Sequence, residues 1–394
     1  MRLAWIVPGF QANAQDRCIP ALTDLAHHVA EQHDLTIFAL QYPGREDSYK
    51  VGRVKIRSFR PGPPAAVPKL RQLGPFWRAY LSLQAEDKRQ PFELVQAFWA
   101  AEPALLAAWV RQRLSKKPPL IVSLMGGEVA ALPEIGYGAA LHRLDRFYLG
   151  QAIRQADCLT VGSQTLANLL KMGYPALQAE NSRPTVKILP LGVDTNRFVV
   201  APDREARQDK AITILAVGSL LPVKGHSNLL KAFAQVVQAL PDLNLMLRLV
   251  GQGVCKPELE KLISETGLSG RVILAGPVPP EQMPSEYQKA DLFALSSYYE
   301  SQCVALCEAL ASGLPVVSAP VGLAPELLGS AETGELAQSN QPEALAVALL
   351  RLLQGRSRWP AMQGAARKLA EEKLSLEICT ERFLELYENL QRNG

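Results

Sequence analysis

The sequence predicts an α/β protein of two doubly wound, Rossmann-like domains in tandem. Short apolar runs of strand length alternate with longer stretches of helical periodicity from one end to the other. That alternation implies parallel sheets covered by helices on both faces. It breaks once, near the middle. The length of 394 residues leaves room for two or three domains of about 150 residues. With 48% hydrophobic and 20% charged residues the composition is that of a soluble globular protein and excludes disorder as the main state.

In the first half, Leu3–Val7 reads as a strand. Only the five-residue apolar run Leu3–Val7 precedes Pro8-Gly9, too short for the core of a secretion signal. Asp16–Gln32 carries Ile19, Leu22, Leu25, Ala26 and Val29 at helical spacing. Strands are then expected at Leu35–Leu40, Val54–Ile56, Glu93–Ala97, Leu120–Leu124, Cys158–Val161 and Val186–Leu189. Helices fit Pro103–Leu114, Ala139–Gln155 and Ser163–Met172. Leu94–Val110, the most apolar stretch, is interrupted by Gln96, Glu102 and Pro103 and is too short to cross a bilayer. Pro190–Lys210 is polar and aperiodic and reads as a linker. The rhythm restarts with strands at Ile212–Val217, Leu245–Val250, Val272–Leu274, Leu292–Leu295 and Pro315–Val317. Helices lie between them at Lys224–Ala239, Lys256–Thr266 and Val304–Ala311. A last amphipathic helix shows Leu376, Cys379, Phe383, Leu386, Tyr387 and Leu390 on one face, with Ser375 as N-cap. The expected domains are 1–195, 196–375 and the helix 376–394.

Open α/β sheets bind ligands at the carboxyl ends of their strands, so a site is expected in loops facing a cleft between the two domains. Three stretches carry candidate chemistry. Val217-Gly218-Ser219-Leu220-Leu221-Pro222-Val223-Lys224-Gly225 joins a strand, a glycine turn and a lysine at a helix start. Backbone N–H groups at such a turn attract phosphate, although a surface lysine would leave the same trace. Glu300 and Glu308, with seven residues between them, flank the start of a helix. They either complement its dipole or accept hydrogen bonds from sugar hydroxyls. Leu249-Val250-Gly251-Gln252-Gly253 lacks the third glycine of a dinucleotide fingerprint, Lys256 standing there instead, and reads as a glycine turn leaving a strand.

The order of these pieces resembles a family. ILPLGVDTNRF, VGSLLPVKGH, LRLVGQG, RVILAGPV, the two glutamates and EALASGLPVVSAPVGLAPEL look like the C-terminal half of a retaining glycosyltransferase of family 4, from about residue 186 to 336. Pro8-Gly9-Phe10, SLMGGEV and ADCLTVGSQ resemble its N-terminal half more loosely. The resemblance implies a GT-B fold, two Rossmann-like domains with an interdomain cleft, and a last helix that crosses back to the first domain. It implies transfer of a hexose-type sugar from a nucleotide-diphosphate sugar to a glycan or lipid-linked acceptor. By it, Lys224 contacts the donor diphosphate and Glu300 the hydroxyls of the transferred sugar, these two being the catalytic pair. Glu308 takes the ribose, and Gly251 and the backbone around Val278 lie near the nucleoside. Gly218, Ser219, Gln302, Cys303 and Val304 complete the donor side. Gly9, Phe10, Met125 and Gly126 stand on the acceptor side.

Three positions depart from the family pattern. Ser219 stands where arginine is frequent. Ser301-Gln302-Cys303 replaces a frequent Gly-Phe-Gly. Met125 stands where many members have histidine, and a thioether neither moves a proton nor bonds a hydroxyl strongly. Nearby His142 could compensate or be an ordinary helix-face histidine. A catalytically degenerate binding protein and a sugar-nucleotide epimerase therefore stay open as alternatives. No metal ligands and no cofactor besides the donor are expected. The six cysteines form no C-x-x-C pair and are expected as buried thiols in a reducing, cytoplasmic setting. A net charge of +4 gives no argument for nucleic acid. The charge is uneven, since Ser48–Ala85 holds Lys50, Arg53, Lys55, Arg57, Arg60, Lys69, Arg71 and Arg78, no acid, and the aromatics Phe59, Phe76, Trp77 and Tyr80. Two readings remain for it: a solvated face over core aromatics, or peripheral contact with an anionic inner-membrane surface.

Overall fold

The computed structural model describes residues 1–16, 18–59, 73–179, 182–202 and 211–392, the side chain of Leu73 excepted. Two compact units form, one from Met1–Leu191 with Glu377–Gly394, the other from Gly192–Leu376.

The first unit runs β1 (Arg2–Gly9), α1 (Pro20–Gln32), β2 (Asp34–Tyr42), β3 (Glu46–Val51), β4 (Val54–Phe59), α2 (Leu73–Arg89), β5 (Leu94–Phe98), α3 (Glu102–Arg111), β6 (Leu120–Leu124), α4 (Arg143–Gln155), β7 (Cys158–Val161), α5 (Gln164–Gly173) and β8 (Thr185–Ile188). The sheet order is β3-β4-β2-β1-β5-β6-β7-β8, with β3 and β4 antiparallel and the other neighbours parallel. Strands β5 and β6 are buried at every residue, which is why they read as continuous apolar runs. Strand β3 escaped the sequence reading because Glu46–Lys50 is mostly exposed and shows no apolar alternation. The helix expected over Ala139–Gln155 starts only at Arg143, since His142 is extended and Gly138 sits at φ 117°.

The second unit runs β9 (Ile212–Val217), α6 (His226–Ala239), β10 (Leu245–Val250), α7 (Lys256–Glu265), β11 (Val272–Gly276), α8 (Met283–Lys289), β12 (Leu292–Leu295), α9 (Val304–Ala311), β13 (Val316–Ser318), α10 (Ala324–Leu328), β14 (Gly334–Leu336), α11 (Pro342–Gln354) and α12 (Trp359–Leu369). Its six parallel strands are ordered β11-β10-β9-β12-β13-β14. Crossovers run outward in both directions from β9, so the switch in direction falls between β9 and β12, where this architecture places its ligand. Apolar side chains fill both faces of the sheet, around Leu230, Phe233 and Leu247 on one and Phe293, Leu306 and Leu310 on the other. The stretch read as a linker is part of this unit where it is described. Phe198, 3% exposed, meets Tyr287 edge-on with ring centroids 5.6 Å apart. Residues 203–210 of that stretch lie outside the described residues.

Helix α13 (Leu376–Arg392) packs on the first unit. Its Tyr387 hydroxyl donates to Gln96 Oε1 on β5. Gln96 Nε2 donates to Ser123 Oγ on β6 at 2.8 Å, and Thr160 Oγ1 on β7 to the same oxygen at 2.7 Å. This chain satisfies polar groups that burial would otherwise penalise. Among the described residues no helix is long and apolar enough to cross a membrane.

Candidate donor and acceptor sites

The donor-side residues gather at the carboxyl ends of β9, β10 and β12. Gly218 follows β9, Pro222–Lys224 forms a single tight turn, and Gly225 at φ 62° starts α6. A Cβ on Gly225 would lie 2.2 Å from the Ser296 carbonyl oxygen beyond β12, so glycine is required there. Gly251, at φ 146°, is tighter still: a Cβ would lie 1.9 Å from the Gly218 carbonyl oxygen. Gly251→Ala is therefore expected to push the turns after β9 and β10 apart and to weaken nucleoside diphosphate binding at least about tenfold. Calorimetry of the folded variant checks this, and unchanged affinity would separate the turn from the ligand.

Lys224 Nζ lies 2.7 Å from Glu300 Oε1, which also accepts from Ser297 Oγ at 2.7 Å. The carboxylate side chain is 10% exposed and the lysine 25%. Between Gly218 and His226, Lys224 is the one cation, because burial and Lys224 itself push the His226 imidazole down to about 4 and keep it neutral. Glu308, on α9, accepts from the Tyr287 hydroxyl at 2.6 Å. Burial pushes its carboxyl up to about 7, against the opposing pull of Tyr287 and Arg197. The two glutamates thus differ in character: Glu300 holds a lysine, Glu308 a phenol.

Cys303 caps α9 at φ 75°, a left-handed conformation that glycine adopts freely and cysteine at a cost of about 1 kcal/mol. The backbone there keeps the shape that the family's second glycine would favour. Gln302 and Cys303 are buried and Val304, the first residue of α9, is partly exposed. Cys303 provides no side-chain cap for the first turn of α9, whose leading N–H groups lie beyond the reach of intrahelical bonds. Gly251 lines a cavity of about 680 Å³ with Leu220, Gln252, Gly253, Lys256 and Pro277. Val278, just past it, packs its side chain on the core. Ser219 is partly exposed at the turn.

On the acceptor side, Phe10 is fully buried and its N–H bonds to Tyr42 O, so its side chain packs in the core. Gly9 is the last residue of β1 and is likewise buried. The amides of Met125 and Gly126 are held by buried Glu128, at 3.0 Å to Oε1 and 2.7 Å to Oε2. Glu128, three residues after Met125, sets the loop shape and was passed over in the motif SLMGGEV. Tyr287 was also missed, and no sequence signal pointed to it. His142 is exposed and extended ahead of α4.

Three of the eight cations of the basic stretch pair with acids outside it. Lys55 pairs with Asp34 at 2.6 Å, Arg57 with Glu86 at 2.5 Å and Arg78 with Glu46 at 3.4 Å. Phe59 and Phe76 are buried. Arg60, Lys69 and Arg71 lie outside the described residues. Lys50 and Arg53 stay exposed, as do Leu81, Trp77 (48%) and Trp109 (45%) of α3, the two indole rings 6.3 Å apart and tilted by 42°. Among the described residues no group of three His, Cys, Asp or Glu could share a metal ion.

Residues 201–369 match the family model "Glycosyl transferases group 1" and residues 19–180 the model "Glycosyl transferase 4-like domain". The chain is 27% identical over 361 residues, 86% of each chain, to a GDP-mannose-dependent alpha-(1-6)-phosphatidylinositol monomannoside mannosyltransferase of Mycolicibacterium smegmatis. It is 30% identical over 311 residues to the monoacylated-substrate counterpart of Corynebacterium glutamicum, covering 75% of this chain and 76% of the relative. In structure it is similar to a sucrose-phosphate synthase from Thermosynechococcus elongatus, with a TM-score of 0.80, 18% identity and full coverage of both chains.

Proposed function

This chain belongs to the glycosyl transferases group 1 family and has the GT-B fold, and we propose that it moves mannose from GDP-mannose to a lipid-linked glycan acceptor with retention at the anomeric carbon. The observation that carries the reading is the Lys224–Glu300 pair at the switch between β9 and β12. The mannosyl choice rests on the two relatives just described. In the reaction the bond from the anomeric carbon to the diphosphate oxygen breaks and a bond to an acceptor hydroxyl oxygen forms. The acceptor proton passes to the departing phosphate. Lys224, held by Glu300, sets a full positive charge against the phosphate oxygens on which charge builds. The open first turn of α9 adds N–H dipoles to the same anion. Glu300 fixes the lysine and accepts from sugar hydroxyls, Glu308 accepts from the ribose, and the cavity beside Gly251 takes the base.

The test offers GDP-mannose, UDP-glucose and ADP-glucose to the purified chain and follows transfer to a lipid-linked glycan. Release of GDP with a new glycoside supports the reading. Interconversion of the donor sugar without an acceptor would favour an epimerase, and binding without turnover a degenerate protein. Turnover is expected to survive excess EDTA, because the leaving group is stabilised by protein N–H groups and Lys224.

We also infer that the acceptor is met at an anionic membrane, with Trp77, Leu81 and Trp109 at headgroup depth. The aromatic pair supports this more than the paired cations do. Trp77→Ser/Trp109→Ser is expected to lower co-sedimentation with anionic vesicles about tenfold. Equal binding by the variant would leave a solvated face.

A further inference from the structure

The far end of the first sheet holds a cavity unrelated to either site above. It has a volume of about 610 Å³ and opens at the amino ends of β5, β6, β7 and β8, where Glu93, Pro119, Asp157 and Thr185 enter the strands. That volume falls in the range of small-molecule pockets, about 300–1,000 Å³. The carboxyl ends of this sheet's strands, which carry the acceptor-side residues Gly9, Met125 and Gly126, are at the opposite edge, and the donor-side residues belong to the other sheet, so the reading of glycosyl transfer above gives this cavity no role.

Its charges are sorted by use. The Arg111 guanidinium is spent on the fold: it donates to Pro118 O and Gln155 O at 2.8 Å each and pairs with Asp157 at 2.6 Å. Asp157 also accepts the Leu120 N–H at 2.8 Å, and Glu93 the Arg2 N–H. Both acids are thus committed to backbone and to Arg111. Lys116, Lys117 and Arg183 also line the cavity, are exposed, and have no ion-pair partner among the described residues. Lys117 sits at φ 44°, a left-handed conformation, with its N–H donating to Leu114 O at 3.4 Å. The apolar part of the wall comes from Phe92, Pro118 and Leu390. Gln391, near the end of α13, closes the cavity by donating to Glu93 O.

We propose that this cavity binds a phosphomonoester: the dianionic phosphate between Lys116, Lys117 and Arg183, and its carbon skeleton against Phe92 and Leu390. Three cations around one site match a doubly charged group with several acceptor oxygens, and arginine suits phosphate in particular. A free sugar or glycerol phosphate and a phosphomonoester lipid headgroup present the same chemistry. Because Leu390 and Gln391 belong to the wall, a bound ligand also fastens α13 to the first unit.

The experiment titrates the full chain with glycerol 3-phosphate in solution and, separately, with vesicles containing phosphatidic acid. Saturable binding to either is expected, and the probe that binds identifies the source. Lys116→Ala/Lys117→Ala/Arg183→Ala should weaken it roughly tenfold or more, while nucleoside diphosphate binding by the same variant stays at the wild-type level and reports that it is folded. Lys224→Ala should bind the phosphomonoester as the wild type does. The proposal is overturned if neither probe binds by about 10 mM, if the triple variant binds as well as the wild type, or if Lys224→Ala abolishes the binding.

Discussion

Lys224→Ala is expected to lower kcat by about 10²–10³ with little effect on folding. The ammonium is the one cation in the turn after β9, since Ser219 stands where arginine is frequent and buried His226 is neutral. No neighbouring charge in that turn takes over when it goes. The side chain is partly exposed, so its removal opens no core cavity, and Glu300 keeps its bond from Ser297. A change in kcat with an unchanged melting temperature is the signature. Adding Glu300→Gln should cost much less in the Lys224→Ala background than alone, because the two side chains act as one bonded unit. Strict additivity would mean that the 2.7 Å pair does not persist once the donor binds. Wild-type turnover in Lys224→Ala would remove the phosphate site from this turn.

How much of this was legible in the sequence follows from where burial leaves a trace. Strands such as β5 and β6 are buried on both faces and read as unbroken apolar runs. The exposed strand β3 leaves no alternation to read. Lys224, Glu300 and Glu308 were legible through the order of the family's motifs, since a lysine after a glycine turn and two glutamates flanking a helix start are each compatible with an ordinary surface. The partners of these residues were not. Ser297 is close to Glu300 in sequence, but Tyr287 reaches Glu308 from another helix, across 21 residues. The basic stretch misled for the same reason. Its acids, Asp34, Glu46 and Glu86, come from outside the segment, and only folding brings them to it. Phe10 looked like a loop residue next to a glycine, yet the chain turns it inward at the end of β1.

Glu308→Gln should stabilise the protein at pH 8 and weaken its grip on nucleotide, two effects of opposite sign from one atom. Burial raises the Glu308 carboxyl from its ordinary 4.5 to about 7. Between those two values the folded chain holds a proton that the unfolded chain has released, so stability falls as pH rises through this window and levels off above about 7. The shift corresponds to about 3 kcal/mol. An amide never ionises and escapes that loss, and it still accepts the Tyr287 hydroxyl. The melting temperature of Glu308→Gln should therefore exceed that of the wild type by roughly 6 °C at pH 8, and the gap should close toward pH 5. Parallel pH profiles would show that Glu308 does not titrate in this range. Nucleotide binding runs the other way. Ribose hydroxyls donate to the ionised carboxylate, so binding favours loss of the proton, and wild-type affinity for nucleoside diphosphate should rise from pH 6 to pH 8. The variant should bind roughly tenfold or more weakly at pH 8 and lose that slope. Glu300→Gln, whose carboxylate faces the transferred sugar in our reading, should keep its affinity for the free diphosphate far better than Glu308→Gln does, its losses falling on kcat and on discrimination among donor sugars. If both variants bind nucleoside diphosphate equally well, the ribose does not rest on Glu308, and the raised carboxyl on α9 serves the core alone.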